Sequence, residues 1–281
     1  MSGVNEKRQA FRALHERGCF VIPNPFDMGS ARWLQGLGFK ALATTSSGAA
    51  WSYGFPDGRL SRDVMIEHIA EIAAASDVPV NADFLNGFAD DPEDLIPNVV
   101  LCIEAGVAGL SIEDMGADGR LYDIELATTR IRAARKAIDD DGTGVILVAR
   151  AEAFLVGHPD PLAEAVTRLE RFAEAGADCL YAPGVTSRED IATIVKAVAP
   201  KPVNVLVSAP IGLTLADLAG LGVRRVSVGG GLARMAWAGV MRAGKDLAAG
   251  RFDALADAAS GRDLNRFFAA DAERRGVCST A

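Results

Sequence analysis

The chain has 281 residues, of which 49% are hydrophobic, 23% charged and only 6% aromatic, with a net charge of −8 and a pI near 5.0. That balance supports a substantial core, and the lack of any Lys/Arg-rich run argues against nucleic acid or an anionic membrane as a partner. The opening stretch MSGVNEKRQAFRALHERG is charged throughout, which speaks against a signal peptide or a membrane anchor.

Short apolar runs with strand character recur along the chain, each followed by a segment of helical periodicity. The first strand is expected at Cys19–Pro23, and the helix after it ends at Leu37-Gly38-Phe39. The second runs over Ala41–Thr44, and Ser61 then caps a helix whose first turn holds Asp63. The third, Val78–Asp83, leads to a helix capped by Asp91 and opened by Pro92, with Glu93 and Asp94 favourable to its dipole. Pro97 inside that helix predicts a bend. Ala105-Gly106-Val107 ends it and feeds the fourth strand, Gly109–Glu113, and the fifth is Val145–Arg150. Ala175-Gly176-Ala177 leads into the sixth, Cys179–Ala182, after which Ser187 precedes Glu189 and Asp190 as a further helix start. The seventh is Val203–Leu206, and Leu221-Gly222-Val223 introduces the eighth, Arg225–Val228. From about Leu232 to Phe268 the pattern is purely helical, with breaks near Gly250 and Gly261.

Eight alternating units, four of them entered through the same helix-ending glycine, predict the α/β class. The architecture expected is a single (β/α)8 TIM-type barrel over residues 1–281, with 232–281 as its C-terminal helical extension. An open doubly wound sheet would want an early glycine-rich fingerprint, and none is present. The four cysteines, Cys19, Cys102, Cys179 and Cys278, have no metal-type spacing. Three lie in apolar patterns that suit buried free thiols, Cys102 as an inert core residue, and a reducing cytoplasm is the expected location.

Chemistry in such a barrel sits where the strands run out into their following loops. Polar residues expected there are Thr45-Ser46-Ser47 after the second strand, Asn81 and Asp83 on the third, Glu113 and Asp114 on the fourth, Arg150 and Glu152 on and after the fifth, and Asn204 on the seventh. Carboxylates from adjacent strands, Asp83 with Glu113 and Asp114, can converge on one point, and hard oxygen ligands without His or Cys favour Mg²⁺ or Mn²⁺ over zinc. The competing reading is that these acids cap helices or form ion pairs. Arg150 ends an otherwise apolar run, so it meets either a substrate carboxylate or enolate oxygen, or a structural partner such as Glu113 or Glu152. Thr45-Ser46-Ser47 offers hydroxyls and backbone N–H groups on a short turn suited to a carboxylate or phosphonate. Gly229-Gly230-Gly231 reads as a tight turn rather than a phosphate loop, and His158 as a surface residue.

The stretches NPFDMGSARWLQGLGFKALATTSSG, GFPDG, VNADFLNGF, AGVAGLSIED and VARAEAF, between Asn24 and Gly231, resemble the isocitrate lyase and phosphoenolpyruvate mutase superfamily. The resemblance implies a Mg²⁺-dependent barrel with its last helix swapped between subunits of a homo-oligomer, a tetramer or dimer. It also implies small carboxylate substrates built around pyruvate or succinate, handled through an enolate-like intermediate. By motif, Thr45, Ser46 and Ser47 resemble the substrate-gripping loop, Asp57 the acid beside the metal and the reacting group, Asn81, Asp83 and Glu113 the metal shell, and Arg150 the substrate-binding cation. Two positions depart from the pattern. Asn81 stands where an aspartate is usual, which lowers the charge of the site, and the loop EDMGADGRLYDIE lacks the catalytic cysteine of the lyases.

Cysteine-dependent cleavage of isocitrate is therefore not expected. The reading that remains is a lyase cleaving or decarboxylating a 2-oxo or 2-hydroxy di- or tricarboxylic acid, with Asp57 or Tyr122 moving protons and Asn204 beside the substrate. Alternatives are a phosphoenolpyruvate/phosphonopyruvate mutase or phosphonopyruvate hydrolase, and a barrel that binds a 2-oxo acid without turning it over.

Overall fold

Eight parallel strands alternate with helices in the computed structural model, which describes residues 3–277; Cys278 lies outside the described residues. The strands are β1 (Phe20–Ile22), β2 (Leu42–Ala43), β3 (Val80–Asp83), β4 (Gly109–Glu113), β5 (Ile146–Arg150), β6 (Cys179–Tyr181), β7 (Val203–Leu206) and β8 (Arg225–Ser227). The helices are α1 (Val4–Glu16), α2 (Met28–Gly36), α3 (Ser46–Ser52), α4 (Arg62–Ala75), α5 (Pro92–Glu104), α6 (Ile124–Asp141), α7 (Pro161–Glu174), α8 (Arg188–Ala197), α9 (Leu215–Gly220), α10 (Gly231–Ala248) and α11 (Gly261–Arg274). This is a (β/α)8 barrel, with all eight strands where the apolar runs predict them.

Local chemistry sets the element boundaries. Ser61, Asp91 and Ser187 each accept a first-turn backbone N–H, from Val64, Glu93 and Asp190. Gly38, Gly106, Gly176 and Gly222 all hold φ between +87° and +102°. That left-handed turn, which a Cβ would strain, drops the chain from helix to sheet. α5 runs unbroken through Pro97.

The ladder runs β1-β8-β7-β6-β5-β4-β3-β2, leaving one seam between β1 and β2. There the Ala43 amide donates to the Pro23 carbonyl at 3.0 Å. Asn24 completes the closure: its Nδ2 donates to Thr44 O (2.8 Å), while its Oδ1 accepts from the amides of Val228 (2.9 Å) and Gly229 (2.8 Å). One side chain thus joins the ends of β8 and β2 across β1.

The main core lies between the strands and the surrounding helices, and a second cluster fills the lower end of the barrel. α1 plugs that end with Phe11, fully buried against Ile22, Ile146 and Val148, a burial that contributes about 2–3 kcal/mol. His15 packs edge-on to Phe11 and Phe20 in the same plug. Beyond the barrel α11 folds back on α2. Phe267 rests where a Cβ on Gly36 would fall 2.6 Å from it, and buried Asp271 takes two bonds from Arg32, at 2.7 and 2.8 Å. Cys102 and Cys179 are buried free thiols and Cys19 is half-buried. Among the described residues no helix is long and apolar enough to cross a membrane.

Candidate active site

The polar residues at the carboxyl ends of the strands enclose a chamber of about 150 Å³. Barrel geometry explains which side chains reach it. Glu113, Arg150, Tyr181, Asn204 and Arg225 form one register row across β4 to β8. Register partners on parallel strands point to the same face, here the interior. Because barrel strands are tilted, such a row slopes around the axis. It begins at the last residue of β4 and ends at the first residue of β8, so the row descends from the rim to the floor.

The rim is an ion network centred on Arg150. Its Nη1 donates to Asp83 Oδ1 (3.0 Å) and Glu113 Oε1 (2.9 Å), its Nε donates to Glu152 Oε1 (2.7 Å), and its plane lies 5.0 Å from the Tyr181 ring centre. Burial disfavours the charge of Arg150, but Glu113, Glu152 and Asp83 more than offset it and raise its pKa well above the usual value. Burial raises the pKa of Glu113 and of Glu152, only partly countered by Arg150. Glu152 is fully buried, and its Oε2 has no hydrogen-bond partner among the described residues.

β2 delivers Thr44 and Thr45 straight into α3. Thr45 is the N-cap of that helix rather than part of a free turn, with Oγ1 3.1 Å from Ser47 Oγ. The Ser46 amide donates to Asp83 Oδ2 (2.9 Å) and the Asp83 amide to Thr44 Oγ1 (2.9 Å), which locks β2 to β3. Asp57, on the loop after α3, is exposed as a residue yet lines the mouth of the chamber. Shielding of its carboxyl by the surrounding protein, then the charge of Asp83, raises its pKa.

The floor is built from amides and one cation. Arg225 Nε donates to Asn204 Oδ1 (2.8 Å) and its Nη1 to Asn81 Oδ1 (3.3 Å), while Asn204 Nδ2 donates to Ser227 Oγ (3.0 Å). Asn81 is thus spoken for on its oxygen by a guanidinium, an unfavourable neighbour for a dication.

The structure therefore brings Thr45, Ser46, Ser47, Asp57, Asn81, Asp83, Glu113, Arg150 and Asn204 around one space. Two residues lie elsewhere. Asp114 does not converge with Glu113, because successive strand residues face opposite ways; it accepts from Glu152 N (2.8 Å) and Arg168 Nη1 (3.1 Å) outside the barrel. Tyr122 lies outside the chamber lining. Its hydroxyl joins Asp90 and Asn86, and Arg130 stacks on its ring. The loop that carries it is a small hairpin closed by a Met115–Leu121 bridge. With Leu85, Asn86 and Leu155 the hairpin walls an outer hollow of about 660 Å³, which shares Asp57, Glu113 and Arg150 with the chamber. Gly229 and Gly230 form a turn that contributes to the chamber wall, and His158 stays in its loop with Asp160. Sequence reasoning missed Asn24, Arg225 and the unpartnered oxygen of Glu152.

Among the described residues no three His, Cys, Asp or Glu side chains form a ready metal cage, since the Arg150 guanidinium stands between Asp83 and Glu113. The donor chemistry nonetheless fits a hard dication: Asp57, Asp83 and Glu113 bring carboxylate oxygens to the chamber lining, which holds no His or Cys.

Residues 11–248 match the family model for phosphoenolpyruvate phosphomutase. A Burkholderia cenocepacia protein of known structure, provisionally described as a lyase/mutase, shares 46% identity over 95% of this chain and 96% of its own, with a TM-score of 0.89. An uncharacterised Mycobacterium tuberculosis (H37Rv) protein is 34% identical over 223 residues, 78% of this chain and 81% of that one. Oxaloacetate decarboxylase of Paraburkholderia xenovorans is 29% identical over 233 residues, 79% of this chain and 75% of the enzyme.

Proposed function

The chain belongs to the phosphoenolpyruvate phosphomutase family, and on that premise we propose that it is a carbon–carbon lyase that cleaves or decarboxylates a small 2-oxo or 2-hydroxy dicarboxylic acid. The observation that carries this reading is the small chamber that unites a carboxylate-buffered arginine, a hydroxyl-bearing helix cap and an acid at the mouth. The similarity to an oxaloacetate decarboxylase supports it. A phosphonate reaction is less well served. The one cation of the hairpin after β4, Arg120, is 87% exposed and faces Asp118 of the same hairpin at 3.9 Å.

The oxygens of Asp83 and Glu113 are the donors that would hold Mg²⁺ or Mn²⁺, with Asp57 beside them. When bound, such an ion supplies an electrophile that draws electron density toward the 2-oxo group. Thr45 and Ser47 bind a substrate carboxylate through their hydroxyls. Arg150 holds Asp83 and Glu113 in place through Nη1, and its guanidinium lines the chamber, where a cation stabilises the oxygen on which charge develops. In oxaloacetate the bond from C3 to the departing carboxylate breaks, carbon dioxide leaves, and the electron pair moves into the carbonyl to give an enolate. A proton taken up at C3 then yields pyruvate, and Asp57, in the chamber lining at its mouth, is the side chain placed to deliver it. Tyr181 and Leu206 line the same chamber and keep bulk water off the enolate.

The test is turnover of oxaloacetate, substituted malates and phosphonopyruvate with Mg²⁺, read as pyruvate or phosphate above the enzyme-free rate. Pyruvate release that chelation and Arg150→Gln both abolish is expected. Phosphate release, or binding of oxalate with no turnover of any of these acids, overturns the lyase reading.

A further inference from the structure

The buried arginines of this barrel are satisfied in three ways, and one of them is left over. Arg32, Arg150 and Arg168 pair with carboxylates. Arg8 and Arg130 donate to backbone carbonyls. Arg225, only 3% exposed, bonds two neutral amide oxygens and forms no ion pair among the described residues. The groups packed about it carry no compensating charge. Burial keeps the Cys179 thiol protonated and pushes the Tyr181 phenol up to about 12, and His15 below the floor is neutral. A buried cation without an anion costs several kcal/mol, and this one lines the chamber. Arg150, by contrast, is shared among three carboxylates, so its charge is already balanced.

We propose that Arg225, held by Asn204 and Asn81, binds a carboxylate of the substrate at the chamber floor, so that the site selects short dicarboxylates over monocarboxylates. The floor cation and the Thr45–Ser47 hydroxyls at the rim then grip the two ends of one small molecule. Only the identity of the ligand as a lyase substrate rests on the function proposed above; the anion site rests on its own geometry.

Malonate is the probe and acetate the monocarboxylate comparison, with affinities measured by calorimetry on the full chain. A charge-assisted hydrogen bond contributes about 1.5–3 kcal/mol, so Arg225→Gln is expected to weaken malonate roughly 10- to 100-fold, with partial recovery in Arg225→Lys. Acetate should bind more weakly than malonate to the unaltered protein and respond less to the substitution. Malonate bound equally well by the glutamine variant overturns the proposal. Should that variant fail to fold, wild-type crystals soaked in malonate decide the matter. Carboxylate density on the Arg225 guanidinium supports the site, and density only at the rim, or none, refutes it. Malonate on Arg225 without turnover of any oxo acid sinks the lyase and leaves the anion site. Turnover whose KM is indifferent to Arg225→Gln does the reverse.

Discussion

Replacing Arg150 by methionine tests whether the rim is held by one guanidinium. Two carboxylate oxygens share its Nη1 at 3.0 and 2.9 Å, so they lie within about 6 Å of each other. Two like charges at about 6 Å and an effective dielectric of about 20 repel by roughly 3 kcal/mol once the intervening cation is gone. Glu152 loses its ion pair with Arg150 as well, and its second oxygen has no hydrogen-bond partner among the described residues. Asp83 keeps its bond from the Ser46 amide and suffers least. Loss of about 3–5 kcal/mol at about pH 8 follows, the usual range for stranding buried charges. The sign of the pH dependence is fixed. Burial already raises the folded pKa of Glu113 and Glu152, and removing the cation raises both further. Such carboxylates contribute stability below their unfolded pKa of about 4.3 and lose it as pH climbs toward the folded value. The gap between wild type and Arg150→Met in urea unfolding should therefore widen from acid to alkaline pH, and Mg²⁺ should narrow it. A variant as stable as wild type at about pH 8, or a gap indifferent to pH, refutes the network account.

Two further outcomes follow from other buried charges. Burial, reinforced by the Arg225 charge, lowers the His15 pKa to about 3, so its stabilising neutral form is fully present above about pH 6.5 and its contribution is lost as pH falls toward 3. At about pH 5 this amounts to about 2 kcal/mol, which His15→Gln should remove; an imidazole seen by NMR to titrate near 6.5 would contradict it. Asp271→Ala strips Arg32, Arg274 and Arg275 of one shared carboxylate. At about 3 kcal/mol, amide exchange in α11 should accelerate on the order of a hundredfold while the strands keep their protection; unchanged α11 exchange would count against that anchor.

The barrel was legible because its signals are local. A left-handed glycine at Gly38, Gly106, Gly176 and Gly222, and caps such as Asp91 before Pro92, are set by neighbours a few residues away. The site was legible where a polar residue ends an apolar strand, as Asp83, Glu113 and Arg150 do. What escaped depends on register and reach. Strand alternation already separates Glu113 from Asp114, and that signal was available and outweighed by the attraction of adjacent acids. Arg225 opens its strand, and only the slope of the register row carries it into the chamber. Which of two arginines is free for a ligand is a matter of partners, and partners are not written in the spacing. Glu152 looked like a mate for Arg150, which it is, but its bare second oxygen is visible only in three dimensions.

The seam between β1 and β2 bears on the order in which the protein emerges from the ribosome. Every rim carboxylate, and Arg150 with them, is synthesised before β8, yet β1 has no ladder partner until β8 arrives. Asn24 cannot make its two amide contacts until Val228 and Gly229 exist. A nascent chain halted after β7 thus carries nearly the whole set of site residues but lacks the strand that pairs with β1. Closure of the barrel thus depends on an asparagine made near the beginning meeting a glycine turn made near the end.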